Sequence, residues 1–321
     1  MVSGVKPTGR LHIGNYFGAI RQFVELSNTH ESYVFLADLH ALNSVQNRAE
    51  MAENVLNAAI DYVALGLDPR KVTIFLQSQV SAHAELAWIF NTLTTMPYLM
   101  RAHAFKDAEA KNKEISVGVF DYPLLMAADI LLYSPDVVPV GNDQKQHVEI
   151  ARDTAEKFNR TFNAEVFRLP QPVIIADVGT VPGTDGRKMS KSYGNTIGIF
   201  AEDGEIRAAV MKIPTDSKGV NDPKDPETDN VFALHKLFAT PEELADLRNK
   251  YTNGGIGYKD SKELLASRIS RFVTPFREKR KLIARRPRKI VKMLIKGSKR
   301  ANKISQMKMD EVRKAVGIAL K

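Results

Sequence analysis

Residues 33–77 read "YVFLADLHALNSVQNRAEMAENVLNAAIDYVALGLDPRKVTIFLQ", and this stretch decides the fold of the chain. Its two ends, residues 33–38 and 72–77, are short apolar runs rich in β-branched and aromatic residues, which predict buried strands. Residues 48–66 between them predict a helix that ends at a glycine and carries apolar residues four apart: Met51, Val55, Ala59 and Val63. A strand, a crossover helix and a second strand, in that order, predict a parallel sheet.

The same order recurs further along the chain, and then the pattern changes. Residues 136–140, DVVPV, predict a strand, and residues 141–158 predict the helix that follows it after a glycine turn. Beyond residue 195 the strand patterns fade, and amphipathic helical patterns replace them. We therefore predict a Rossmann-like, doubly wound parallel α/β sheet in residues 1–195 and an all-helical domain in residues 196–321.

Composition and charge narrow the functional class. The chain has 321 residues, no cysteine and no apolar run of membrane-spanning length, so disulfides, cysteine metal sites and a transmembrane helix are not expected. The default location is the cytoplasm. The formal net charge is +9, and basic residues crowd into residues 277–300. This basic stretch is either solvated surface or a binding site for a polyanion such as nucleic acid, and charge alone leaves both readings open.

A small-residue loop near the N-terminus is suited to bind phosphate. Residues 3–20, SGVKPTGRLHIGNYFGAI, run from a glycine-bearing loop into a helix that starts near Ile13. A helix N-terminus presents backbone N–H groups and positive partial charge to an anion. His12 and Asn15 are three residues apart, so they project to one side of the first turn, and both can donate hydrogen bonds. A purely structural role for either residue is the alternative.

A second loop combines positive charge with glycines. Residues 185–195 read DGRKMSKSYGN and contain two lysines and two serines around a methionine. Such a segment is either a solvated basic loop or a mobile clamp for a triphosphate. The flanking glycines would allow the clamp to close only when the triphosphate is present, and the methionine would anchor it by packing.

The pair of motifs HIGN, at residues 12–15, and KMSKS, at residues 188–192, resembles the signature of the class I aminoacyl-tRNA synthetases. The resemblance implies that the chain activates an amino acid with ATP, accompanied by Mg²⁺, and that lysine side chains offset the charge developing on the phosphates. It implies no metal site of the protein itself. The implied catalytic residues are Lys188, Lys191, His12 and Asn15. The implied ATP-binding residues are Lys6, Pro7, Thr8, Gly14, Asn15, Gly141, Asn142, Asp143, Val181, Lys188, Met189, Ser190, Lys191 and Ser192.

A lone carboxylate in an apolar segment bears on which amino acid the chain would activate. Residues 122–133 read YPLLMAADILLY, and on a helix one face carries four of them: Tyr122, Met126, Asp129 and Tyr133. A charge on an apolar face is costly unless a donor faces it. The local backbone, a buried lysine or a ligand could each supply that donor.

This segment resembles its counterpart in the tryptophanyl-tRNA synthetases, as do residues 137–153 and 37–43. The resemblance implies that Asp129 accepts the indole N–H of tryptophan and that Met126 packs on the ring. One acceptor in an apolar slot suits a ligand with a single side-chain donor and a large apolar body. The other implied tryptophan-binding residues are Tyr122, His40, Val138, Val140 and Gln144.

Two alternative functions remain open. The related tyrosyl-tRNA synthetases commonly have Gln where Met126 stands, and a site built for the phenol hydroxyl would leave that group unpaired with tryptophan. Met126 therefore favours tryptophan over a tyrosine–tRNA ligase. The second alternative is a synthetase-derived RNA-binding protein that has lost catalysis, although the intact lysine motif argues against it.

The resemblance also has implications for partners. It implies an anticodon-reading helical domain in residues 196–321, with tRNA phosphates as the partner of the basic stretch. It further implies a homodimer formed through an inserted helical region at residues 80–125. Residues 83–105, which include Trp88, are apolar enough either for that interface or for plain core packing.

Overall fold

The computed structural model describes residues 1–102, 105–106, 109, 115–141, 144–173 and 181–320. Across these ranges, no helix has the length and apolar character needed to cross a membrane. The chain divides into two compact units. Residues 1–9, 22–176 and 286–321 form the first, which we call the sheet unit, and residues 10–21 and 177–285 form the second, the helical unit.

Parallel strands form the centre of the sheet unit. β1 (Val2–Val5), β2 (Ser32–Leu36) and β3 (Val72–Leu76) pair in that order, with Val34 opposite Ile74. β4 (Val138–Pro139) pairs in parallel with β5 (Pro172–Val173). The three predicted strands and their parallel arrangement are confirmed.

Helices account for most of the remaining described residues. Those before residue 174 include α1 (Ile13–Asn15), a π-helical turn (Tyr16–Ile20), α2 (Arg21–Leu26), α3 (Asp38–Ala41), α4 (Arg48–Ala64), α5 (Ala82–Leu93), α6 (Met96–Leu99), α7 (Val117–Leu131) and α8 (Lys145–Thr161). Those after residue 180 include α9 (Asp203–Met211), α10 (Asn230–His235), α11 (Pro241–Thr252), α12 (Tyr258–Ala284) and α13 (Pro287–Val316).

Local sequence explains where the predicted crossover helix begins and ends. The side chain of Asn47 accepts a hydrogen bond from the Glu50 N–H at 3.0 Å and caps the N-terminus of α4. Gly66, with φ of 117°, lies just past its end, in the left-handed region that glycine adopts without strain. The predicted helix is confirmed, and Ala59 on its predicted stripe is fully buried.

The last helix belongs to the sheet unit, so the compact units do not follow the predicted boundary at residue 195. α13 packs against β3, where Gly297 faces the carbonyl oxygen of Ile74 so closely that a Cβ atom would clash with it. The missing side chain therefore allows the helix to lie directly on the strand. The distribution of functions between residues 1–195 and 196–321 stays a prediction.

An aromatic cluster packs the helical unit around its N-terminal segment. Phe17, on the π-helical turn, stacks on Phe272 of α12 with ring centroids 5.4 Å apart and an interplanar angle of 18°. Tyr16 packs against Phe276, and Phe17 also meets the ring of Phe238. These contacts attach the segment that carries the HIGN motif to the helices after residue 200.

Candidate active site

The two signature motifs lie side by side in the helical unit. The N–H of Ile13 donates to the carbonyl of Ile197 at 2.9 Å, and the N–H of Gly14 donates to the sulfur of Met189 at 3.4 Å. The second bond joins residues 175 positions apart in the chain. The structure therefore brings the HIGN and KMSKS segments together.

A tight hairpin presents the lysines of the second motif. The Met189 N–H donates to the Val181 carbonyl at 2.9 Å, and Gly186, with φ of 80°, makes the turn between them. Val181 and Met189 are buried, whereas Lys188 and Lys191 are exposed. The methionine thus anchors the loop by packing, and the two ammonium groups stay at its surface.

Asn195, for which the sequence patterns predicted no role, forms hydrogen bonds to both sides of this loop. Its Oδ1 accepts from the Ser190 N–H at 2.7 Å, while its Nδ2 donates to Asp185 Oδ1 at 2.6 Å and to the Lys188 carbonyl at 3.1 Å. Asn195 is only 2% exposed. The hydroxyls of Ser190 and Ser192 lie 2.8 Å apart. An asparagine directly after a left-handed glycine was the one signal that could have identified this residue.

His12 is a buried neutral imidazole beside the lysine loop. Burial, together with the charge of Lys191, lowers the pKa of His12 to about 4. Its Nδ1 has no hydrogen-bond partner among the residues that the structure describes. Asn15 Oδ1 accepts from the His12 N–H at 3.0 Å, which leaves the Asn15 amide NH₂ as its donor. A side chain at Gly14 would come within 2.9 Å of His12 Nδ1, so only glycine fits here.

The other predicted ATP-binding residues follow two strands of the sheet unit. Residues 6–8 come directly after β1, and Gly141 comes two residues after the end of β4. The carboxyl ends of parallel strands are where ligands gather in sheets of this kind. Asn142 and Asp143 lie outside the described residues, and the contacts of the whole set with ATP stay predictions.

Asp129 is the centre of a buried polar cluster in the sheet unit. α7 places it at 1% exposure, where three side chains face its carboxylate. Gln77 Nε2 lies 2.7 Å and His83 Nδ1 2.6 Å from Oδ1, and His40 Nε2 lies 2.8 Å from Oδ2. The donors are therefore neither the local backbone nor a lysine, the two protein donors that the sequence suggested.

The electrostatics of this cluster keep Asp129 ionised. Burial alone would raise its pKa, but the facing His40 and His83 rings outweigh burial and lower the pKa below its ordinary value. An ionised carboxylate only accepts hydrogen bonds, so every partner must donate. The sequence pattern did not predict Gln77 or His83, because the spacing along α7 carries no information about the turn that follows β3 or about α5.

The remaining predicted tryptophan-binding residues belong to the same unit. The Tyr122 hydroxyl lies 2.9 Å from His147 Nε2, and the two rings stack with centroids 5.4 Å apart. The ring edge of His40 meets Tyr122, with centroids 6.1 Å apart. Met126 is half-buried on α7. Val138 is buried in β4, Val140 follows it half-buried, and Gln144 is half-buried just before α8.

A parallel α/β sheet, a lysine-bearing loop bonded to a helix N-terminus and a buried acceptor on a helix of the sheet unit are each features of the class I aminoacyl-tRNA synthetases. Residues 1–283 match the family described as tRNA synthetases class I (W and Y). The chain belongs to this family, and the resemblance that the two motifs indicated is confirmed.

Individual relatives are similar over nearly the whole chain. A tryptophan–tRNA ligase of Rhodopirellula baltica is 46% identical over 319 residues, covering 99% of each chain. One of Fusobacterium nucleatum is 44% identical over 317 residues, covering 99% of this chain and 97% of the relative. The crystal structure of Campylobacter jejuni tryptophanyl-tRNA synthetase with ADP and tryptophan superposes with a TM-score of 0.91, at 42% identity and coverage of 98% and 99%.

Proposed function

We propose that this chain is a tryptophan–tRNA ligase. In the first step a carboxylate oxygen of tryptophan attacks the α-phosphorus of ATP, a new P–O bond forms, and pyrophosphate leaves. In the second step a hydroxyl of the terminal adenosine of tRNA takes the tryptophanyl group, and AMP leaves. The single observation that carries the choice of amino acid is the near full-length similarity to tryptophan–tRNA ligases, and the buried, ionised carboxylate of Asp129 is consistent with it.

Tryptophan recognition rests on the Asp129 carboxylate and its apolar surroundings. The indole N–H would donate to Asp129, and Met126 on the same helix would pack against the ring. Tyr122, His40, Val138, Val140 and Gln144 would line the rest of the amino-acid site. Met126 offers no strong partner to a phenol hydroxyl, so tyrosine would leave a buried polar group unpaired.

ATP activation rests on the loop of the helical unit. Lys188 and Lys191 would offset the charge that develops on the α-phosphate and on pyrophosphate. His12, neutral above its lowered pKa, can donate to a phosphate oxygen without adding a charge. Asn15 would donate through its amide NH₂. Mg²⁺ would enter with the triphosphate as part of the substrate.

For tRNA we propose two basic stretches as separate candidate contacts, one on α12 of the helical unit and one on α13 of the sheet unit. Arg277 is excluded from the α12 stretch, because its guanidinium is buried and bonded to the Ala201 carbonyl at 2.7 Å and to Asp203 at 2.9 Å. On α13 the exposed basic residues recur at spacings of three and four: Arg288, Lys292, Lys296, Lys299 and Lys303. Such a stripe suits phosphate groups along one helix face.

We further propose that the chain forms a homodimer in the cytoplasm. Trp88 on α5 is 71% exposed, so plain core packing does not account for it. Met96 and Val117, in the neighbouring helical segments, are exposed as well. Exposed large apolar side chains in the predicted dimer region support an interface there.

The deciding experiment measures ATP–pyrophosphate exchange with tryptophan and with tyrosine, followed by aminoacylation of bulk tRNA. We expect exchange with tryptophan at least about 100-fold above exchange with tyrosine, because a mismatched buried polar group is strongly rejected. Faster exchange with tyrosine would establish the tyrosine alternative. Binding of tRNA without exchange on either amino acid would establish the RNA-binding alternative.

A further inference from the structure

Among the described residues, the donors that face Asp129 leave one acceptor position of its carboxylate open. A carboxylate accepts about four hydrogen bonds, two at each oxygen. Oδ1 takes two, from Gln77 and His83, and is saturated. Oδ2 takes one, from His40, so one more acceptor position lies on this oxygen.

Two of the three donors, Gln77 and His83, are themselves oriented by another group. Gln77 is fully buried, and its Oε1 accepts from the Leu39 N–H at 3.2 Å, which turns the amide so that Nε2 faces Asp129. A flipped amide would put two acceptors against each other at 2.7 Å. The backbone of α3, which also carries His40, thus fixes the direction in which Gln77 donates.

The proton position on His83 is set by its two neighbours. His83 is fully buried, and Nδ1 faces the ionised carboxylate, so Nδ1 must donate. Its Nε2 lies 2.9 Å from the Tyr133 hydroxyl, and a ring with a single proton on Nδ1 accepts a hydrogen bond at that position. Burial and the charge of Asp129 raise the pKa of Tyr133, so its hydroxyl keeps the proton that it donates. Tyr133, His83 and Asp129 therefore form a chain with one direction of donation.

We propose that Gln77, His83 and Tyr133 are specificity-determining positioning residues, which hold the Asp129 carboxylate with Oδ1 saturated and Oδ2 open to one N–H of an aromatic ligand. This inference rests on the proposed tryptophan site and deepens it. The three residues act through Asp129, so they control the part of the affinity that depends on the indole N–H. The part that comes from burying the ring does not depend on them.

The test is a comparison of tryptophan with 3-benzothienyl-L-alanine, an isostere in which sulfur replaces the indole N–H. Dissociation constants for both ligands are measured by titration calorimetry on the full chain and on Tyr133→Phe, with melting temperature and the KM for ATP as checks. The substitution keeps the ring that stacks on Tyr33 with centroids 4.9 Å apart and removes only the hydroxyl. Without that hydroxyl, His83 Nε2 loses its hydrogen-bond partner, and the ring is held less firmly in the orientation in which Nδ1 donates to Asp129.

We expect the wild-type chain to prefer tryptophan over the isostere by roughly 100-fold, because the isostere leaves a buried acceptor unpaired. Tyr133→Phe should reduce that preference by about tenfold, and His83→Gln by more, while the affinity for the isostere and the KM for ATP stay the same. Tyr33→Phe is the matched control, because its hydroxyl donates to Glu31 at 2.9 Å, outside the chain of donors.

Two failures have different meanings. A wild-type chain that binds both ligands equally well would overturn the indole contact with Asp129, and with it the proposed function. A wild-type chain that prefers tryptophan, with the preference unchanged in both Tyr133→Phe and His83→Gln, would overturn only the positioning role. A parallel loss of affinity for both ligands would also overturn it, since a purely structural defect weakens ring burial as well.

Discussion

The Asp129 cluster and the lysine loop solve opposite electrostatic problems. Asp129 is buried and satisfied by three side-chain donors, each fixed by the fold. Lys188 and Lys191 are exposed on a hairpin whose backbone is held in place by Met189 and Asn195. The cluster therefore holds one negative charge inside the protein, whereas the loop presents two positive charges at the surface.

The difference follows from what each region has to do. Selecting an amino acid requires an acceptor that is already in position before the ligand binds, and burial with matched donors provides this. Offsetting charge that develops during a reaction requires cations that can approach the phosphates, and long side chains on an anchored loop provide that. Changes in the loop should therefore affect the rate and the KM for ATP, and changes at the cluster should affect the affinity for the amino acid and the stability of the fold.

The largest expected effect is that of Lys191→Ala. We expect tryptophan-dependent pyrophosphate exchange to fall by about 100-fold or more, because one of the charges offsetting the leaving group is lost. The melting temperature should stay the same, since the side chain is exposed. Lys259→Ala, another exposed lysine of the helical unit, is the control. Undiminished exchange in Lys191→Ala would show that the loop is a solvated surface segment and not a clamp for the triphosphate.

Asp129→Asn should affect affinity and stability together. The amide presents an NH₂ group to side chains that already donate, so at least one buried donor loses its acceptor. We expect the KM for tryptophan to rise roughly 30-fold or more, the KM for ATP to change little, and the free energy of unfolding to fall by about 2–4 kcal/mol. Exchange kinetics measure the two KM values, and urea unfolding measures the free energy of unfolding. An equal rise of the KM for tryptophan and the KM for ATP would contradict the assignment of amino-acid affinity to the Asp129 cluster.

A smaller effect is expected when the loop loses its internal support. Asn195→Asp places a carboxylate against Asp185 and the Lys188 carbonyl, both of which accept hydrogen bonds from Asn195. We expect the KM for ATP to rise about tenfold, with the KM for tryptophan unchanged. The double variant with Asp185→Asn restores one donor–acceptor pair and should recover part of the loss. No recovery would show that Asn195 acts by packing alone.

Much of the fold was predictable because local patterns carry it. The strands at residues 33–38 and 72–77, the helix between them and the helical character of residues 122–133 all follow from periodicity and caps. The position of α13 was not predictable, because its contact with β3 depends on a close approach at Gly297 that involves residues about 220 positions apart. Amphipathic patterns show that a helix has a buried face but not what covers it.

The sequence motifs of the site were predictable, but the hydrogen-bond partners of Asp129 were not. The pair HIGN and KMSKS identified the two segments that meet, and the lone charge in α7 identified Asp129. Gln77 and His83 are ordinary residues by sequence, and only the fold brings them to the carboxylate from elements about 50 positions away. Partners of this kind are set by tertiary geometry, which no single segment encodes.

The smallest expected effect is on the pH dependence of stability, and it comes from His12, which lies beside the lysine loop. The pKa of His12 is lowered from 6.5 to about 4 in the folded chain, mainly by burial. Between these two values the unfolded chain binds more protons than the folded one, so lowering the pH favours unfolding. We expect the urea midpoint to fall as the pH drops from about 6.5 toward 4, and to fall less in His12→Gln. Asp129, with its lowered pKa, contributes stability that is lost only at still lower pH, near and below its ordinary value of 3.8. A pH dependence identical in His12→Gln and the wild type would mean that the His12 ring is hydrated in solution, and the neutral phosphate donor would have to be sought elsewhere in the loop.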